Sequence, residues 1–170
     1  MRQDKVEKCF VEGKRGGERH QGILIIVPST EKAREHLDKA LHNFQAMVVF
    51  REQQFSDWSA AAAFYTLYHG LLALLAVLGY ESRNQSCTFA LVEEFITKGK
   101  MKYLTIDDIK EIFDKDVMMD LEHSRKLLDI RERMQYSTRT ALEEKEFLFL
   151  KQRTKELLDK IRLELEEYFN

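Results

Sequence analysis

One uncharged run constrains the fold of this chain more than any other feature. No Lys, Arg, Asp or Glu occurs from Trp58 to Tyr80, although a third of all residues are charged. The run is long enough to cross a membrane, but Ser59, Thr66 and His69 lie within it and no basic cluster flanks it. A helix that is apolar around most of its circumference is normally enclosed by other helices. We therefore predict a buried central helix and no contact with a membrane.

The segments around this run have the spacing of amphipathic helices. Apolar residues recur at helical intervals over 29–54, 86–98, 105–113, 121–134 and 141–168, with a bend predicted at 114–120. Thr105 can cap one helix, while Gly79 and Gly99 lie where helices should end. We predict an all-α fold, an antiparallel four- to five-helix bundle over residues 29–170. Residues 1–28 form a leader made of a short helix, a glycine-rich loop and an extended arm.

Charge and cysteine content exclude several classes of protein. The net charge is −2 and the pI about 6.2, so no global field attracts nucleic acid and any RNA contact needs a local patch. Cys9 and Cys87 are far apart in the chain and make neither a disulfide framework nor a zinc site, which predicts a reducing, cytoplasmic location. His36, His42 and His123 lack the spacing of metal ligands. We expect no metal and no cofactor.

Three segments, in this order, resemble one known family. The central one, "SDWSAAAAFYTLYHGLLALLAVLGYESRNQSCT" at 56–88, has an aromatic residue at the helix start, an alanine-rich turn and a Tyr-x-x-Tyr-His pattern. It follows "EKAREHLDKALHNFQAMVVFREQQF" at 31–55 and precedes "LLDIRERMQYSTRT" at 127–140. Together they are similar to the HEPN domain, and the resemblance covers about residues 30–165. It implies a small all-helical module.

The resemblance also implies a possible activity. Many HEPN proteins are metal-independent ribonucleases that dimerise and place an Arg-x4-6-His motif from each subunit in a shared cleft. The corresponding arginine here is Arg131, but Gln135, Tyr136 and Ser137 stand four to six positions later, and no histidine follows His123. A phenol ordinarily titrates near pH 10, which makes tyrosine a poor base at neutral pH. The catalytic pair, with Arg131 and Tyr136 as its candidates, is therefore incomplete.

A formal Arg-x4-His match does occur in the leader, from Arg15 to His20. A glycine-rich loop would not hold those two groups in the geometry that catalysis needs. We attribute this match to chance.

Two further groups of residues have open interpretations. Arg131, Arg133, Arg139 and Tyr136 form either an RNA or nucleotide contact or a solvated helix end diluted by nearby acids. Tyr65, Tyr68 and His69 belong either to the core or to a dimer or partner interface. In both cases the sequence leaves the alternatives open.

Three functions follow from these observations. The first is a non-catalytic or weakly catalytic module that binds RNA or a nucleotide, forms a homodimer and acts with a minimal nucleotidyltransferase partner in a toxin-antitoxin-like system. The second is an active metal-independent endoribonuclease in which Tyr136 or His20 replaces the missing histidine. The third is a dimeric interaction scaffold. The incomplete motif favours the first.

Overall fold

The computed structural model describes residues 2–113 and 126–169. The helices are α1 (Arg2–Gly16), α2 (Thr30–Glu52), α3 (Asp57–Val77), α4 (Gln85–Thr97), α5 (Ile106–Ile112), α6 (Lys126–Tyr136) and α7 (Glu144–Phe169). A short 3₁₀ turn, Gly17–Arg19, follows α1. Two short strands, β1 (Ile23–Ile25) and β2 (Tyr80–Ser82), form an antiparallel pair. The all-α class is confirmed, while the bend expected at 114–120 lies outside the described residues.

Helix α3 is the central helix of the bundle. It packs against α2, α6 and α7 and also contacts α4 and β2. At Gly70 a Cβ atom would lie 3.0 Å from the Ile161 side chain, so a glycine permits the close approach of α7. Although α3 is long and apolar enough to cross a membrane, 78% of its most apolar window is buried within the chain. The uncharged run is therefore the core of the bundle, as predicted.

Local signals set most helix ends. Thr105 starts α5 with a capping box, in which its hydroxyl accepts from the Asp108 amide and the Asp108 carboxylate accepts from the Thr105 amide. Gly79 follows α3 with φ of +87° and Gly99 follows α4 with φ of +69°, values that favour glycine. Asn84 caps α4 by accepting from the Cys87 amide.

The N-terminal segment is joined covalently to the bundle. A disulfide links Cys9 on α1 to Cys87 in the first turn of α4, and both residues are buried. The expectation that these cysteines form no disulfide is wrong, because folding brings together two residues that are 78 positions apart. The division of the chain at residue 28 stays a prediction.

Close backbone contacts accompany this disulfide. A Cβ atom at Gly22 would lie 2.2 Å from the Cys9 carbonyl oxygen, and one at Gly13 would lie 1.9 Å from the Ile23 carbonyl oxygen. These two glycines let α1 pack directly on the chain that leads into β1. Gly13 and Gly16 belong to the last turns of α1.

Candidate functional site

A groove runs between the first half of α3 and the end of α6, and we call it the α3–α6 groove. Its volume is about 370 Å³. Phe64 and Met134 belong to its apolar wall, with Ala60 and Ala61. Its polar and aromatic lining consists of Asp57, Trp58, Tyr65, Arg131 and Gln135. The groove combines one cation with aromatic faces and hydrogen-bonding groups.

Arg131 is held in this groove by an aromatic ring. Its guanidinium carbon lies 3.7 Å from the centroid of the Phe64 ring, within the range of a cation–π interaction. Burial lowers the pKa of Arg131, and the nearby Tyr65, Glu132 and Tyr136 act against that shift. A guanidinium nevertheless stays protonated at neutral pH. Among the described residues, no carboxylate forms an ion pair with it.

The ring beneath Arg131 is itself fixed by stacking in the core. Phe64 lies parallel to Tyr68, with centroids 5.9 Å apart and an interplanar angle of 8°. Tyr68 contacts Phe89 of α4, and Phe89 stacks on Phe113 at 4.4 Å. Because these rings come from three parts of the chain, the guanidinium rests on a support held by the fold, not by α3 alone.

The other two candidate arginines share one carboxylate of α7. Glu146 accepts from Arg133 at 2.7 Å and from Arg139 at 3.1 Å. Burial opposes ionisation of Glu146, but the Glu143 amide and the two arginines outweigh it and lower its pKa. The predicted group of three arginines therefore divides into one cation facing the groove and two whose charge is shared with Glu146.

Three exposed aromatic side chains lie in or near the groove: Trp58 and Tyr65 line it, and Tyr136 is close to Arg131. The exposed fractions are 60% for Trp58, 45% for Tyr65 and 81% for Tyr136. Large aromatic residues usually bury most of their surface, so these exposed rings make a surface suited to stacking. Trp58, Asp57 and Gln135 were not among the predicted site residues. The seven-residue spacing of Trp58 and Tyr65, two helical turns on α3, is the signal that could have identified this face.

The three predicted interface residues occupy different environments. Tyr65 is exposed, whereas Tyr68 is 9% exposed and its hydroxyl lies 3.4 Å from the Thr88 hydroxyl. His69 is partly buried, with its Nδ1 atom 3.1 Å from Nδ1 of His36 on α2. The described chain thus uses Tyr68 and His69 for internal contacts. An interface role for the three residues stays a prediction.

The paired histidines are uncharged at neutral pH. Burial lowers the pKa of His69 to about 4, helped by His36 and Lys39. Burial also lowers the pKa of His36, although the negative charges of Glu35 and Glu81 oppose that shift. One ring must donate the shared hydrogen bond and the other must accept it.

His20 cannot supply a proton in this groove. Its side chain is fully buried, its Nε2 atom lies 3.1 Å from a Glu81 carboxylate oxygen, and its Nδ1 atom accepts from the Gly22 amide at 3.3 Å. Both ring nitrogens are therefore engaged, Nε2 with Glu81 of β2 and Nδ1 within the N-terminal segment. His123 lies outside the described residues. Within the described ranges, no histidine lines the α3–α6 groove, and no group of three His, Cys, Asp or Glu side chains could hold a metal.

Fold and site together define an all-α module whose α3–α6 groove carries one arginine and one aspartate among aromatic and apolar side chains. A family model for the HEPN domain matches residues 33–164, which is most of the chain. The protein belongs to the HEPN domain family, and in general terms it is a nucleotide- or RNA-related module. Among curated proteins, none matches the chain.

Proposed function

We propose that this HEPN module binds RNA or a nucleotide in the α3–α6 groove. Arg131 holds a phosphate, and bases stack on the exposed rings of Trp58, Tyr65 and Tyr136. The observation that carries the proposal is the Arg131 guanidinium, which rests 3.7 Å from the Phe64 ring and has no ion-pair partner among the described residues. Arginine suits this role because its planar group presents several donors to phosphate oxygens at once.

We further propose that the module is non-catalytic or weakly catalytic. Phosphodiester cleavage needs a group that exchanges a proton near neutral pH, and no histidine lines the described part of the groove. The module would form a homodimer and act with a minimal nucleotidyltransferase in a toxin-antitoxin-like system in the cytoplasm. These partners are what the family resemblance implies.

The binding proposal is tested with a fluorescein-labelled single-stranded RNA by fluorescence anisotropy at low salt. We expect Arg131→Gln to weaken binding about tenfold or more, since a hydrogen bond to a charged group contributes about 1.5–3 kcal/mol. The dependence of log K on log salt should become shallower by about 0.7, the value for one phosphate contact on a single strand.

Arg133→Gln is the matched control. It removes the same charge from the same helix, but Arg133 is already paired with Glu146. We expect its affinity to stay within about twofold of the unmodified protein. Equal losses from the two substitutions would show that only net charge matters, and no binding at low salt would overturn the proposal and favour the scaffold function.

A second candidate function is metal-independent RNA cleavage with Tyr136 in place of the missing histidine. Its support is that Tyr136 is exposed and close enough to Arg131 to affect the guanidinium electrostatically. Incubation with RNA in EDTA, followed by a denaturing gel, distinguishes the two functions. Cleavage that is lost in Tyr136→Phe, with RNA affinity unchanged, would establish the enzyme. Intact RNA at saturating protein supports the binding module.

A further inference from the structure

One carboxylate that lines the α3–α6 groove has no hydrogen-bond or ion-pair partner in the described chain. Asp57 lies in the first turn of α3 and is half-buried. It lines the groove together with Arg131, yet the two do not form an ion pair, and within 2–113 and 126–169 Asp57 has no recorded hydrogen-bond or ion-pair partner. As an acid in the first turn, Asp57 suits the positive N-terminal end of α3, and its carboxylate oxygens are also free to accept hydrogen bonds from a ligand in the groove.

Along α3, Asp57 and the residue beneath Arg131 are separated by about the length of a nucleotide. Arg131 lies over Phe64, which is seven residues along α3 from Asp57. At 1.5 Å per residue this separation is about 10 Å along the helix axis. A nucleoside monophosphate with its phosphate on Arg131 therefore brings the far edge of its base to Asp57.

The side chain next to Asp57 supplies a stacking face at the same end. Trp58 follows Asp57 directly, lines the groove and is 60% exposed. Base–aromatic stacking is tolerant of sequence, so the indole fixes the plane of a base without selecting which base it is. Selection falls to the groups that meet the base edge, namely the Asp57 carboxylate and the Gln135 amide.

From this arrangement we infer that the groove prefers guanine, an inference that rests on the proposed function. A carboxylate accepts hydrogen bonds and donates none. The Watson–Crick edge of guanine offers two adjacent donors, N1–H and the N2 amino group, which match the two oxygens of one carboxylate. Adenine presents an acceptor at N1, and cytosine and uracil each present a single donor position on that edge. Only guanine satisfies both oxygens of Asp57.

The first experiment needs no variant. Isothermal titration calorimetry compares GMP with IMP, AMP, CMP and UMP on the full chain. IMP lacks the N2 amino group, so it should bind about tenfold more weakly than GMP, which corresponds to one lost hydrogen bond to a charged group. AMP, CMP and UMP present no two adjacent donors either, so they should likewise bind more weakly than GMP.

The second experiment is designed to change the base preference from guanine to xanthine. Asp57→Asn replaces one acceptor oxygen with an N–H donor, and Asn is well tolerated at a helix N-terminus. XMP carries a carbonyl oxygen where GMP carries the N2 amino group, so the variant should bind XMP better than GMP and the unmodified protein should do the opposite. Arg131→Gln should weaken all six nucleotides equally, because it acts on the shared phosphate.

The outcomes distinguish a failure of the guanine preference from a failure of the proposed nucleotide binding. Equal affinity for GMP, IMP and AMP, with all three weakened by Arg131→Gln, would overturn the guanine preference and leave nucleotide binding intact. An unchanged GMP:XMP ratio in Asp57→Asn would likewise exclude Asp57 as the selecting group. No binding of any nucleotide or RNA would overturn the proposed function itself.

Discussion

Reduction of the Cys9–Cys87 disulfide should destabilise this protein strongly. The bond closes a loop of 78 residues. In the chain-entropy treatment, a cross-link over such a loop raises the free energy of unfolding by about 4.5 kcal/mol at 25 °C, and measured effects of native disulfides are typically about 2–4 kcal/mol. Because the total stability of a domain is about 5–15 kcal/mol, the bond would supply a large fraction of it.

Urea unfolding followed by circular dichroism at 222 nm measures the effect. With a slope of about 2 kcal/mol per molar urea, a loss near 4 kcal/mol lowers the midpoint by about 2 M. Both cysteines are buried, so the reductant must be added to the unfolded chain before refolding. The double variant Cys9→Ala/Cys87→Ala should match the reduced protein and should not respond to reductant.

Two results would refute this reasoning. Thiol titration of the unfolded, unreduced protein that finds two free thiols would show that the bond does not form. If the bond forms but the urea midpoint of the oxidised protein lies within about 0.2 M of that of the reduced protein, the cross-link does not stabilise the fold by restricting the unfolded chain. The stability that the Cys9–Cys87 disulfide contributes depends on the cellular compartment, because a reducing cytoplasm acts against such a bond.

Two further predictions concern buried ionisable groups. The pKa of His69 falls from 6.5 to about 4 on folding, so the unfolded chain binds more protons than the folded one between these pH values. The free energy of unfolding should therefore fall by about 1–2 kcal/mol as the pH drops through this range, allowing for solvent screening. His69→Gln, with an amide facing His36, should flatten that part of the pH–stability curve, and an unchanged slope would contradict the assignment. Asp108 is buried with both carboxylate oxygens 2.8 Å from the Lys160 ammonium, so Asp108→Ala should cost about 2–4 kcal/mol in urea unfolding. The exposed neighbour Asp107 is the matched control, and equal effects of the two alanine substitutions would show that the Lys160 contact contributes nothing.

Features that depend on neighbouring residues could be predicted from the sequence. Thr105 and Asp108 stand three positions apart and form the capping box of α5, and Gly79 and Gly99 follow helices with positive φ angles. Ser56 behaves differently. Its hydroxyl makes no cap hydrogen bond for α3 and instead accepts from the Leu142 amide, which comes from a loop 86 positions away. A local pattern cannot reveal a partner that only the fold supplies.

The same limit applies to the candidate site. From sequence, Arg131, Arg133 and Arg139 form one basic group near the end of a helix. They differ in the structure because Glu146, on the following helix, meets two of them while Phe64 supports the third. The resemblance to the HEPN family pointed to Arg131, whose role stays a prediction. The contacts that distinguish it from the other two arginines lie between α3, α6 and α7.

The composition of α3 connects the core of this protein to its proposed function. Two residues of α3, Trp58 and Tyr65, are exposed, and both line the groove that holds Arg131. Under the proposed function these two rings are stacking faces for bases. An RNA base and a second copy of the chain are the two candidates to cover them. Sedimentation with and without RNA distinguishes a nucleic acid from a second copy, because a dimer that closes the groove would have to compete with the RNA for Trp58.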